Sequence, residues 1–247
     1  MAHLASGLAG IGAGAVNAMA GGGTLISFPV MTAFGVPTVQ ANATNTVALC
    51  PGYVGGTYAQ RRELDGLAPT LKAPLMVAAC FGFAGSVLLV VTSESLFRAI
   101  VPFLILASCG LLAVQDRLRA WMNSRSPERR SQGPLELAGI GLASTYGGYF
   151  GAGLGIMLLA VLGLFTDRPI RTSNAVKSLI AFVVNVFAAA FLAGSGTVSW
   201  SLVAVMAPAS LLGGHVGGRL VGRIPPTRLR TGIVAFGVVV ALIYLFR

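Results

Sequence analysis

The chain has 247 residues, of which 55% are hydrophobic and only 10% charged, a balance that excludes an ordinary soluble domain. Its formal net charge of +10 would point to nucleic acid in a soluble protein. Here the basic residues fall in short connections between apolar runs, where they set orientation in a lipid bilayer, and no nucleic-acid partner is expected.

Hydrophobic runs and their breakers divide the chain into segments at about 4–20, 23–35, 39–60, 71–92 and 96–114, then 135–150, 153–165, 172–194, 199–218 and 229–246. The longer ones match the roughly 20 residues a helix needs to cross a hydrocarbon core. The fold class is therefore an all-α polytopic membrane protein. Its organisation reads as a first membrane repeat over 1–114, a basic cytoplasmic linker over 115–134 and a second repeat over 135–247. The first two segments of each repeat are short and join through glycines, Gly21, Gly22 and Gly23 in one half and Gly151, Gly153 and Gly155 in the other, as hairpins or broken helices do. The 33 glycines suit close helix approach in a membrane, both inside one chain and between two chains of a homodimer.

The halves align by eye. AGGGTL (20–25) answers FGAGLG (150–155), PTVQANATN (37–45) answers PIRTSNAVK (169–177), and GFAG (82–85) answers GHVG (214–217), mostly at one offset of 132 residues. Internal symmetry of this kind marks a duplicated transporter fold. Lys and Arg are retained on the cytoplasmic side. Arg61, Arg62 and Lys72 put one connection inside, as do Arg117, Arg119, Arg125, Arg129 and Arg130 in the linker, Arg168 and Arg171 before segment 172–194, and Arg219, Arg223, Arg228 and Arg230 near the end. The stretches at 93–98 and 194–200 have no net charge and fall outside. Equivalent loops thus have opposite sidedness, so the repeats are inverted and both termini lie outside.

All seven acidic residues, Glu63, Asp65, Glu94, Asp116, Glu128, Glu136 and Asp167, sit in loops or at segment ends. An interior without carboxylates disfavours a cation path and suits a small anion or neutral solute. Lys177 lies inside an apolar segment, where an ammonium is costly unless it faces a cavity, a partner or the interface; snorkelling from one turn deep is the competing explanation. Asn174, Ser178 and Asn185 share its helical stripe. The first half supplies Asn42, Asn45, Thr46 and Tyr53 at matching positions, and such amides also serve as interhelical glue. The glycine turns lead into helices whose free N–H groups could cup an anion, with Asn17 and Tyr149 beside them. His215 in GGHVGG is either a packing histidine or a proton-coupling group. Cys50, Cys80 and Cys109 lack metal-ligand spacing, and no metal or cofactor is expected.

GIGAGAVNAMAGGGTLISFPVM (10–31), ANATNTVAL (41–49), FGAGLGIML (150–158), TSNAVKSLIAFVVN (172–185), VSW (198–200) and GGHVGGRL (213–220) together resemble the sulfite exporter TauE/SafE family of membrane transporters. The resemblance implies movement of sulfite, thiosulfate or organosulfonates across the bacterial inner membrane. It also brings Gly21–Gly23, Lys177 and Asn185 forward as family features. The expectation is an alternating-access carrier, with a small-solute channel as the alternative. No serine–histidine, paired-carboxylate or metal constellation supports an enzyme.

Overall fold

The computed structural model describes residues 2–19, 22–124, 133–166, 168–220 and 226–246. Among the described residues the regular structure is entirely helical. That outcome follows from solvent, because a backbone in lipid must satisfy its own N–H and C=O groups and a helix does so within one segment. The helices are α1 (Ala2–Met19), α2 (Thr24–Ala33), α3 (Thr38–Ala59), α4 (Ala68–Val91), α5 (Glu94–Ser124), α6 (Pro134–Tyr149), α7 (Leu154–Phe165), α8 (Ile170–Gly194), α9 (Trp200–Leu220) and α10 (Pro226–Leu245). Three of them, α4, the Glu94–Met122 part of α5, and α8, are long and apolar enough to cross a membrane.

The order of elements repeats. Ala2, Thr38, Ala68 and Glu94 open α1, α3, α4 and α5, and Pro134, Ile170, Trp200 and Pro226 open α6, α8, α9 and α10, each 132 residues later. The first part of the expected linker over 115–134 falls on α5. α5 runs on to Ser124 as one helix of 31 residues, because 115–124 contains neither glycine nor proline and is rich in good helix formers. Arg125, Arg129, Arg130, Glu128, Asp167 and Arg223 lie outside the described residues, as does Gly21.

The short paired segments are helical hairpins. A Cβ at Gly139 would meet Val161, and one at Gly147 would meet Leu154. As one position moves forward along α6 its neighbour moves back along α7, which only antiparallel helices allow. In the first pair, Gly12 faces Ile26 and Gly23 faces Ala13 in the same sense. At 10 and 12 residues, α2 and α7 are about 15 and 18 Å long, near half of a hydrocarbon core of about 30 Å.

Each hairpin packs on a helix of the other half through glycine. On α1, a Cβ at Gly14 would sit 2.0 Å from the Ser210 carbonyl of α9; on α4, one at Gly85 would sit 2.1 Å from the Thr145 carbonyl of α6. Side chains at these crossings would push the backbones apart. α3 and α8 lie between the two hairpin units. α3 is too polar to face lipid, and its Thr38, Asn42, Thr44, Asn45 and Thr46 are all buried. At the N-terminal end of α3, Phe28, Phe97, Phe150 and Tyr149 form an edge-on aromatic cluster, with ring centroids 5.7 Å apart for Phe28–Phe150 and 5.5 Å for Phe97–Tyr149.

Candidate functional site

A cavity of about 620 Å³ lies among the two hairpins, α3, α8 and α9. The first hairpin contributes Asn17, Gly23 and Thr24, and the second Gly151, Ala152 and Gly155. α3 lines it with the breaker Pro51–Gly52 and then Tyr53, Thr57 and Gln60; α8 adds Lys177 and Ser178, and α9 adds Ser210 and His215. Pro51 has no N–H, so the Val47 carbonyl four residues before it loses its helical donor. No carboxylate is among the described lining residues.

The second turn is built around two left-handed glycines. Gly151 and Gly153 both have φ +81°, a conformation any Cβ would strain; Gly153 caps α7 and Gly151 faces the cavity. The turn is pinned from α5. Ser108 Oγ lies 2.8 Å from the Tyr146 hydroxyl and donates at 3.0 Å to the Ala152 carbonyl, to which Tyr146 also donates at 2.8 Å. The first turns of α2 and α7 both begin at the cavity; in them the N–H groups of Leu25, Ile26, Leu154 and Ile156 donate to the turn carbonyls of Gly22, Gly23, Gly151 and Gly153, so what each start offers the cavity is chiefly the positive end of its helix dipole.

The structure brings part of the predicted set together. Asn17, Gly23, Gly151, Lys177 and His215 line the cavity. The Lys177 ammonium donates to Asn174 Oδ1 at 3.2 Å, and its stem passes Gly155. Asn174 Nδ2 is itself tied to the Ile170 carbonyl at 2.8 Å. Asn185 is buried, donates to the Ala181 carbonyl at 2.8 Å and hydrogen-bonds with Tyr53, whose hydroxyl also meets Asn17. Tyr53 thereby links α1, α3 and α8 across the cavity wall.

Asn42 and Asn45 stand one step behind the cavity. Asn42 Nδ2 donates to the Tyr149 carbonyl at 2.7 Å, holding the end of α6. Asn45 accepts from Ser27 and donates to Thr24 Oγ1 at 3.1 Å, holding the start of α2. One turn of α3 therefore fixes both hairpins. Gly22 packs against Leu112, Gly153 against Leu111, and the Tyr149 ring joins the aromatic cluster. Thr57 and Gln60 escaped the sequence reading, although Tyr53, Thr57 and Gln60 run at helical spacing and extend the stripe already recognised on α3. Thr57 Oγ1 donates to the Ser178 carbonyl at 3.3 Å and Gln60 Nε2 to Ser178 Oγ at 3.1 Å, joining α3 to α8 at the end of α3 that carries Arg61 and Arg62.

Apolar helices wrapped around a cavity into which a few polar side chains project, with short helices starting at its wall, define the class of a membrane-embedded transporter. The chain belongs to the sulfite exporter TauE/SafE family, whose model matches residues 6–244. It is similar to the probable membrane transporter protein YfcA of Escherichia coli (strain K12), 26% identical over 211 residues that cover 85% of this chain and 77% of that protein. It is also similar to the probable membrane transporter protein ORF9 of Sinorhizobium sp, 28% identical over 84% of this chain and 78% of the relative. A probable membrane transporter protein of Haemophilus influenzae is 26% identical, with 89% and 85% covered. No solved structure matches the chain.

Proposed function

We propose that the protein is a carrier that moves a small sulfur-containing anion, such as sulfite, thiosulfate or an organosulfonate, across the bacterial cytoplasmic membrane by alternating access of two inverted halves. The observation that carries this reading is the cavity wall, where the Lys177 ammonium and the starts of α2 and α7 converge and no described carboxylate competes. An ammonium and helix N-termini both favour an oxyanion. The family description adds the sulfur chemistry.

Several features support inverted halves. The element starts recur at one spacing, α1 packs on α9 as α6 packs on α4, and Tyr53 and Asn185, 132 residues apart, meet across the middle of the fold. The basic loops put the α3–α4 connection inside and the α8–α9 connection outside, with both termini outside. In that orientation the cavity adjoins the Arg61–Arg62 end and faces the cytoplasm, while the aromatic cluster of Phe28, Phe97, Tyr149 and Phe150 seals the other side. Alternating access then requires that cluster to part as the cavity closes at its Arg61–Arg62 end.

Uptake of radiolabelled sulfite and thiosulfate into proteoliposomes tests the proposal. The expected result is saturable uptake accelerated by unlabelled anion on the opposite side. Flux that neither saturates nor shows such acceleration would mean a channel, and no flux of either anion would overturn the substrate.

A further inference from the structure

A titratable group outside the cavity has no role in that reading. Glu136, in the first turn of α6, is 1% exposed, and neither of its carboxylate oxygens has a hydrogen-bond partner. A first-turn glutamate ordinarily reaches back to the N-cap N–H or lies exposed at the surface; Glu136 is buried and makes no such bond. Among the described residues the charged side chains on the elements packed against this end of α6 are few, and Arg125, Glu128, Arg129 and Arg130 of the preceding connection lie outside them. α7 carries none, while Lys72 of α4 and Arg171 of α8 are exposed. Arg168, between α7 and α8, is the cation that Glu136 interacts with electrostatically, and Asp167 beside it lies outside the described residues.

The two interact electrostatically and yet form no ion pair. Among the described residues the one ion pair within 4.0 Å is Arg230–Asp116. Arg168 instead directs Nη2 at Thr70 of α4, 3.4 Å away, and its Nη1 is buried without a partner. Leaving both a carboxylate and a guanidinium nitrogen buried and unsatisfied is expensive. A carboxyl can escape the cost by holding its proton.

We infer that Glu136 is a proton-binding site, neutral in this conformation, which releases its proton when Arg168 closes on it as an ion pair. The proton moves to water at the cytoplasmic end and the carboxylate left behind is neutralised by the guanidinium. Position couples this step to the cavity. Glu136 rides on the second hairpin, whose turn supplies Gly151 and Ala152. Arg168 is tied to α8 by Ser173, which donates to its carbonyl at 3.2 Å, and α8 carries Lys177. Movement of the hairpin against α8 therefore changes the cavity and the Glu136–Arg168 separation together. The coupling rests on the carrier reading; the proton site does not.

Infrared spectroscopy of the reconstituted protein, scanned through pH, reads the site without any flux. The carbonyl stretch of a protonated carboxylic acid is expected at neutral pH in the wild type and absent in Glu136→Gln. In Arg168→Gln the band should persist to higher pH, because the cation that favours ionisation has gone. Absence of the band in the wild type, or its survival in Glu136→Gln, overturns the assignment. Transport then reads the coupling: Glu136→Gln should lose accumulation driven by a pH gradient and keep anion exchange, and accumulation equal to wild type overturns the coupling. A protein that shows the acid band and moves no sulfur oxyanion would bring down the substrate and leave the proton site standing.

Discussion

Lys177→Met removes the one ammonium among the described cavity residues while keeping a long flexible side chain against Gly155. A hydrogen bond from a charged donor to an anion is worth about 1.5–3 kcal/mol. With each 1.4 kcal/mol equal to tenfold in affinity, the half-saturation concentration for the transported anion should rise by roughly 10- to 150-fold. The fold should survive, because Asn174 keeps its bond to the Ile170 carbonyl and a half-buried ammonium has been exchanged for an apolar group in an apolar helix. Lys177→Arg retains the charge and should lose less. The assay is anion-concentration dependence of uptake into proteoliposomes containing equal amounts of each protein. A Lys177→Met protein whose half-saturation stays within threefold of wild type would remove the lysine from the anion site, and snorkelling would then explain its position.

The remaining predictions concern packing and topology. Gly85→Ala and Gly148→Ala would place a methyl within 2.1 and 2.0 Å of opposing carbonyls and should each destabilise by about 1–3 kcal/mol through overpacking. Gly110→Ala, with nothing within 4 Å, should leave the unfolding temperature in detergent unchanged, and equal effects at all three would refute the crossing geometry. Glu94 accepts from the Thr38 hydroxyl and from the N–H groups of Thr38 and Val39 at the start of α3. Glu94→Ala should therefore cost about 1–3 kcal/mol, the range for losing charged hydrogen bonds at a helix start, and an unchanged melting curve would count against the contact. In a background without Cys50, Cys80 and Cys109, cysteines at Asp65 and Ser195 should label from the cytoplasmic and external faces respectively. Labelling of both from one face would sink the proposed topology.

Much of the architecture was legible because lipid imposes a simple rule. Apolar length and glycine breaks gave the segments nearly where α1–α10 run, and the spacing of PTVQANATN and PIRTSNAVK matches the equivalent starts of α3 and α8. Whether α1–α2 and α6–α7 bend back was not legible, since a glycine cluster permits either a kink or a reversal. The reversal depends on tertiary pairs such as Gly139 with Val161. The site was legible by residue type more than by role. Polar residues in an apolar helix announce that they face something, and they do not say whether it is substrate or another helix. Asn42 and Asn45 bind the hairpins, Lys177 reaches the cavity, and all three look alike in sequence.

Glu136 shows the same ambiguity in reverse. In sequence it follows a basic linker and Pro134, the ordinary place for a solvated helix-start carboxylate. Only packing by the surrounding helices takes it out of water. A membrane carrier can store a proton at such a place more readily than beside Lys177, where a carboxylate would compete with the anion for the ammonium. In the proposed carrier, separating the acid from the cavity and linking them through the hairpin and α8 would let one chain handle two ions without their cancelling one another. The price is mechanical, because coupling then depends on the rigidity of the second hairpin, whose turn is fastened to α5 by Ser108, Tyr146 and the Ala152 carbonyl. Ser108→Ala should accordingly weaken the dependence of anion accumulation on a pH gradient more than it weakens anion exchange. Parallel loss of both would place the serine in general packing and the coupling elsewhere.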